Sequence, residues 1–128
     1  MIVPEYFRDD ELVCHCGCGL LPPSKSIERL YAVRIVVRHP FPVSSAARCK
    51  AHNKAVGGAI GSLHLPEDER EGDSAGWGGC GFDIVADPDL QAKIYAVGLS
   101  VGFTGFGFAD TWVHIDDGKR PKITTWKY

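Results

Sequence analysis

His64, Asp83 and His114 are the residues of this 128-residue chain whose types best suit metal chemistry. A catalytic zinc site takes two or three nitrogen or carboxylate ligands and keeps one position open to water. Two histidines and an aspartate meet that demand. Such an ion lowers the pKa of its bound water to about 7 and polarises a carbonyl. A nearby carboxylate must then carry the proton to the leaving group. The residues around these three fit the same picture. Side chains alternate between the two faces of a strand. In Thr111 to Asp116, Val113 and Ile115 therefore take one face, and Trp112, His114 and Asp116 take the other. The first face suits a core; an indole, an imidazole and a carboxylate on the second suit the wall of a site. In Cys80 to Val85 the same rule sets Asp83 opposite Phe82 and Ile84. Ser62-Leu63-His64 follows a Gly-rich loop, where backbone can approach closely. Spacing alone leaves a purely structural role open for each histidine.

The elements that must hold these residues can be read from periodicity and end signals. Ser24 to Arg38 is a helix, with Ile27, Leu30, Tyr31 and Ile35 at helical spacing and His39-Pro40 ending the run. Phe41 to Arg48 reads as a strand running into a turn, and Cys49 to Leu65 as a loop with one short helical turn. Pro66 to Gly78 is acidic and loop-like, with Arg70 its one basic residue. Cys80 to Val85 is a strand. Asp87-Pro88 opens a helix, an N-cap followed by proline at the first helical position. Leu90, Ile94 and Val97 form its apolar face, and Gly98 is the expected stop. Ile2 to Pro23 is expected to be an irregular arm. No repeat or linker divides the chain, so residues 1–128 form one α+β domain with a small antiparallel sheet flanked by helices.

Several classes of function are disfavoured. The net charge is −2 and no Lys/Arg stripe stands out, so no nucleic-acid partner is expected. No apolar run approaches the roughly 20 residues of a membrane span. Met1 to Asp10 lacks a basic segment followed by an apolar one, so synthesis in a cytoplasm without a signal peptide is expected. Five cysteines, an odd count, argue against a complete disulfide framework and for a reducing compartment. Cys14, Cys16 and Cys18 are separated by single residues, closer than the two to four of ordinary zinc fingers. A structural metal, free thiols and a disulfide to Cys49 all stay open there. Cys80 reads as a small buried hydrophobe. Trp77 and Trp112 could line a peptide groove, with core packing the default for both.

Ser44-Ser45-Ala46-Ala47-Arg48-Cys49, then His52-Asn53, Val56-Gly57-Gly58-Ala59 and Ser62-Leu63-His64-Leu65, resemble the D-Ala-D-Ala carboxypeptidase family of zinc peptidases, and its short phage-type members most closely. Gly79-Cys80-Gly81-Phe82-Asp83 looks like the family's aspartate element, and His114 in Trp112-Val113-His114-Ile115-Asp116 like its closing histidine. Phe7 to Leu20 looks like the opening of the phage chains. The resemblance implies the hedgehog-like and lysostaphin-like fold and a Zn2+ ion held by His64, Asp83 and His114. It implies that Arg48 contacts substrate and steadies the developing oxyanion, a role that suits paired donors at fixed geometry. Ser62 and Trp112 would contact substrate. His52 is open between shaping the substrate end and holding a turn. The implied function is hydrolysis of peptidoglycan stem peptides, by a carboxypeptidase or an endopeptidase of endolysin type. The expected partner is a peptidoglycan peptide, with no membrane insertion and a monomeric chain acting on the bacterial cell wall after phage-type release. The rival is a non-catalytic cell-wall-binding or virion structural module of the same fold.

Two departures from the family pattern bear on the site. The first histidine and the aspartate stand nineteen positions apart, twelve more than the family's usual seven. The excess is the acidic Pro66 to Gly78 segment, to be read as a lid, a specificity loop or a solvated surface loop, or as a sign that a carboxylate such as Asp73 ligates instead. The family's general base, three positions before the last histidine, is replaced here by Thr111. Asp110 is the expected base, aimed inward by a bulge, and Asp116 is its rival.

Overall fold

A computed structural model describes residues 6–128; the first five, which include the start of the expected Ile2 to Pro23 arm, lie outside the described residues. The architecture is the expected α+β. A five-stranded sheet has the order β1-β2-β4-β3-β5, built from β1 (Val43–Ser45), β2 (Gly81–Val85), β3 (Gly105–Phe108), β4 (Trp112–Asp116) and β5 (Thr124–Lys127). Its pairs are antiparallel except β3 with β5, which run parallel. The helices are α1 (Asp9–Leu12), α2 (Ser24–Val37), α3 (Lys50–Ala55) and α4 (Pro88–Val101).

Alternation along β2 and β4 builds the core. Phe82, Ile84, Val113 and Ile115 are fully buried, in one cluster with Leu30 and Val33 of α2 and Ile94 of α4. Burying a side chain of this size contributes roughly 1.5–3 kcal/mol, so one face of the sheet is committed to the helices. The residues between them, Asp83, His114 and Asp116, necessarily project from the other face.

The helix ends follow local chemistry. α2 stops at Arg38, which takes a left-handed φ of 58°, just ahead of His39-Pro40. The Asp87 carboxylate accepts from the Leu90 N–H at 2.8 Å and caps α4, with Pro88 at the first turn. Gly98 does not stop this helix, which runs on to Gly102 (φ 108°). A Cβ on Gly98 would lie 2.9 Å from a Phe106 ring carbon, so the glycine serves the close approach of helix to sheet. The N-terminal arm is less irregular than expected: it forms α1 and places Phe7 and Leu12 in the core. The strand expected over Phe41 to Arg48 is confined to β1, whose pairing with β2 is interrupted by an irregularity between Val43 and Ser45.

Candidate metal centre

Register brings the first two site residues together. In the antiparallel β2–β4 pair, Asp83 stands directly opposite His114. Asp83 Oδ1 lies 3.0 Å from His114 Nδ1. His64 arrives from the loop before β2, anchored by two backbone bonds: Arg48 N–H donates to its carbonyl at 2.8 Å, and Gly81 N–H donates to the Leu63 carbonyl at 2.9 Å. Its Nε2 lies 3.2 Å from the same Asp83 oxygen. Gly81 makes the convergence possible, since a Cβ there would stand 2.7 Å from His114 Cε1.

The far side of each ring fixes which nitrogen faces inward. His64 Nδ1 donates to the Ala46 carbonyl at 2.6 Å, leaving Nε2 for the cluster. His114 Nε2 donates to Asp116 Oδ2 at 2.8 Å, leaving Nδ1. Asp116 is fully buried and is itself held by Arg120, through Nε at 3.0 Å and Nη2 at 2.8 Å. Metal-binding histidines are oriented in this way by carbonyls and carboxylates behind them. Ligands about 2.0–2.1 Å from a tetrahedral zinc stand about 3.3 Å apart, close to the 3.0 and 3.2 Å found here. The donor set and its spacing therefore fit zinc, with His64 Nε2, Asp83 Oδ1 and His114 Nδ1 as the atoms that could hold it.

Electrostatics follow the same wiring. Burial lowers the pKa of His64 below its ordinary value, so its ring is neutral. Burial would also lower that of His114, but the Asp116 and Asp83 carboxylates overcome it and raise the ring to about 9. Burial pushes Asp83 upward, yet the histidines beside it, the hydrogen bond from His114 foremost, carry it well below the usual carboxylate range. Asp116 is opposed by burial in the same way, and His114 and Arg120 bring it down to about 2.

A cavity of about 400 Å³ opens onto the three residues, with Arg48, Ser62, Trp112, Arg120, Trp126 and Tyr128 in its wall. Arg48 is braced by Ser45 Oγ at 3.1 Å and Asn53 Oδ1 at 3.0 Å, and its Nη2 stands 3.6 Å from Asp83 Oδ2. Trp112 stacks on Tyr128 with ring centroids 4.5 Å apart, and Trp126 lies 5.5 Å from the His114 ring. The model of one family, Peptidase M15, matches residues 5–116. The chain belongs to the Peptidase M15 family. It is thus a peptidase of a zinc-dependent family, the one that the Arg48 to His64 motifs resemble. No curated protein and no solved structure matches it significantly.

The structure of this M15 peptidase gathers His64, Asp83, His114, Arg48, Ser62 and Trp112 around one cavity. Two other expected residues lie elsewhere. Asp110 is exposed on the turn before β4, where strand alternation no longer controls it. It lines a neighbouring cavity with Gln91, Tyr95 and Lys127, and Tyr128 borders both spaces. His52 faces His15 at a centroid distance of 6.3 Å and does not line the cavity of the metal centre. Asp116 is near the centre, but both its oxygens are engaged by His114 and Arg120. Asp73 is exposed in a short 3-10 turn, Asp73–Gly76, and is not part of the cluster.

The acidic segment is neither a bare solvated loop nor organised by its acids. Arg70 is buried, and its guanidinium donates to the carbonyls of Leu63, Leu65, Ser74, Gly78 and Gly79. One cation thus knits the insertion to the loop that carries His64 and to the segment that leads into β2. The only trace of this in the sequence is a single arginine among acids. Arg120, Trp126 and Tyr128 were also missed. Arg120 lies between the Trp77 and Trp126 rings, 5.0 and 5.2 Å from their centroids, a cation–π position that also gives Trp77 a role.

Proposed function

We propose that this M15 peptidase is a zinc-dependent hydrolase of bacterial peptidoglycan stem peptides, acting either as a D-Ala-D-Ala carboxypeptidase or as an endopeptidase. The observation that carries the metallopeptidase part is the convergence of His64 Nε2, Asp83 Oδ1 and His114 Nδ1, each histidine tied off from behind. The peptidoglycan part rests on the family motifs around Arg48 and His64. Zinc bound at these atoms would supply an activated water and polarise the scissile carbonyl. Arg48, braced by Ser45 and Asn53, points its guanidinium at the edge of the cluster and would hold the carbonyl oxygen as charge develops. Trp112, Trp126 and Tyr128 would exclude water and pack against the peptide, with the Ser62 hydroxyl close by. Asp116 and Arg120 keep the His114 ring in one orientation.

Proton transfer needs a further group. We assign it to Asp110, whose exposed carboxylate is uncommitted among the described residues, whereas Asp116 is spent on His114 and Arg120. The turn carrying Asp110 must approach across Tyr128 when substrate binds, as catalytic contacts often tighten only in the complex. A second reading follows from one observation: among the described residues, the cavity holds no carboxylate besides Asp83. On that reading the chain is a zinc-containing wall-binding or virion module without turnover.

The test is to incubate zinc-loaded protein with peptidoglycan fragments, with and without chelator, and to read the products by mass spectrometry. Chelator-sensitive loss of one D-Ala identifies a carboxypeptidase, and a cut within the stem identifies an endopeptidase. Bound zinc with no product, together with retention on insoluble peptidoglycan, supports the binding module. Activity of this kind fits a phage-type lytic role at the cell wall; among the described residues no helix is long and apolar enough to cross a membrane.

A further inference from the structure

The cysteines at positions 14, 16 and 18 are too closely spaced for an ordinary zinc finger knuckle. The fold removes that objection. The chain turns sharply through Gly17 (φ 87°) and Gly19 (φ 83°), left-handed conformations that glycine adopts without penalty. The turn is closed by Cys14 N–H donating to Leu20 O at 2.8 Å and Gly17 N–H donating to Cys14 O at 3.3 Å. Three thiols from one short loop can then face a common point. The fourth comes from far along the chain: Cys49, the residue that precedes α3.

The four sulfurs all lie within 4.8 Å of one another. Cys16 Sγ is 3.5 Å from Cys14 Sγ and 3.6 Å from Cys49 Sγ. Four sulfurs about 2.3 Å from a tetrahedral zinc stand about 3.8 Å apart, so little movement is needed to seat an ion. Two backbone groups already point at sulfur: Cys49 N–H donates to Cys14 Sγ, and His52 N–H donates to Cys49 Sγ, both at 3.4 Å. Such bonds stabilise thiolate ligands and fix their direction. All four cysteines are free, and soft sulfur ligands select zinc over the hard divalent cations.

We propose that Cys14, Cys16, Cys18 and Cys49 form a second, structural zinc site, distinct from the His64–Asp83–His114 centre. Four protein ligands close the shell and leave no position for water, so the site is structural rather than catalytic. It staples the N-terminal arm, which carries Phe7 and Leu12 into the core, to the turn that presents Arg48. It also accounts for the position of His52, whose backbone serves a sulfur ligand while its ring stays out of the catalytic cavity. The proposal holds whether or not the His64 centre hydrolyses peptide.

The test counts metal on the full chain, reduced, stripped and reloaded with zinc alone under anaerobic conditions. Two zinc ions per chain are expected for the native sequence. One is expected for the His64→Ala/Asp83→Ala double variant, and one for Cys16→Ser/Cys18→Ser. Cobalt loading of the His64→Ala/Asp83→Ala variant should give an intense sulfur-to-cobalt charge-transfer band, absent from the cysteine variant. The native chain should show the same band, so the result survives if a variant fails to fold. A single zinc in the native chain that disappears with His64 and Asp83, and no sulfur band with cobalt, would overturn the proposal. So would a disulfide among these four cysteines in anaerobically purified protein.

Discussion

Replacing Asp116 by asparagine separates two roles that the same carboxylate could play. In the structure its Oδ2 accepts from His114 Nε2 and Arg120 Nη2, both at 2.8 Å, and its Oδ1 accepts from Arg120 Nε at 3.0 Å. Asparagine has the same shape but only one accepting oxygen. With that oxygen in the Oδ2 position, the bonds to His114 and Arg120 Nη2 survive without the acceptor charge, and the amide NH2 faces Arg120 Nε, donor against donor. With the amide flipped, both Oδ2 bonds are lost. The better orientation keeps His114 in place but weakens its support, because charge-assisted bonds are about twice as strong as neutral ones. Loss of an outer partner of a metal-binding histidine typically lowers metal affinity or activity 10- to 100-fold, or about 1.4–2.8 kcal/mol at 1.4 kcal/mol per tenfold. The unsatisfied guanidinium edge adds a stability loss of about 1–3 kcal/mol. Zinc affinity is to be measured by chelator competition, and kcat/KM at saturating zinc across pH. The expected variant binds zinc 10- to 100-fold more weakly and recovers much of its rate when zinc is raised. A variant with native zinc affinity, no turnover at saturating zinc and a lost limb of the pH profile would refute the positioning role and make Asp116 the proton carrier.

The remaining expectations concern other parts of the same wiring. Asp110→Ala should abolish turnover while zinc binding, followed by the same competition assay, stays native; full activity in that variant removes Asp110 from the mechanism. Arg70→Ala should lower stability by at least about 3 kcal/mol, because five carbonyls lose one shared donor. Thermal unfolding should register this as a drop of roughly 10 °C, and a shift within a degree or two would show that the insertion is held by other contacts. In the metal-free protein the raised pKa of His114 stabilises the fold fully below about pH 6.5, and that contribution is lost as pH rises through about 9. The same proton must leave when zinc binds, whereas His64 is already neutral. Zinc affinity at the His64 centre should therefore rise at least tenfold per pH unit between 6.5 and 9 and less steeply above. Calorimetry of the Cys16→Ser/Cys18→Ser variant in buffers of different ionisation enthalpy should find at least one proton released per zinc at pH 7.5, one from His114 and up to one more from the zinc-bound water, and none released would contradict the assignment.

Local rules made much of this protein legible. Alternation sorted Phe82, Ile84, Val113 and Ile115 from Asp83, His114 and Asp116, because a strand offers only two faces and apolar side chains claim one. The Asp87 cap and the end of α2 before His39-Pro40 were equally readable, since their causes lie within a few residues. Gly98 misled because a glycine that ends a helix and one that admits a neighbouring ring look alike until Phe106 is seen beside it. The types of the candidate metal-site residues and their order were visible along the chain. Strand register put Asp83 opposite His114, and packing chose which imidazole nitrogens face inward. Packing also committed Asp116 to Arg120, left Asp110 on the far side of Tyr128, and closed Cys49 onto Cys16, thirty-three residues away. These outcomes depend on register, burial and loop closure between distant segments, and none is written in the spacing of neighbours. Arg70 is the sharpest instance: a lone arginine among acids reads as a surface charge, and only the fold surrounds it with the five carbonyls to which it donates.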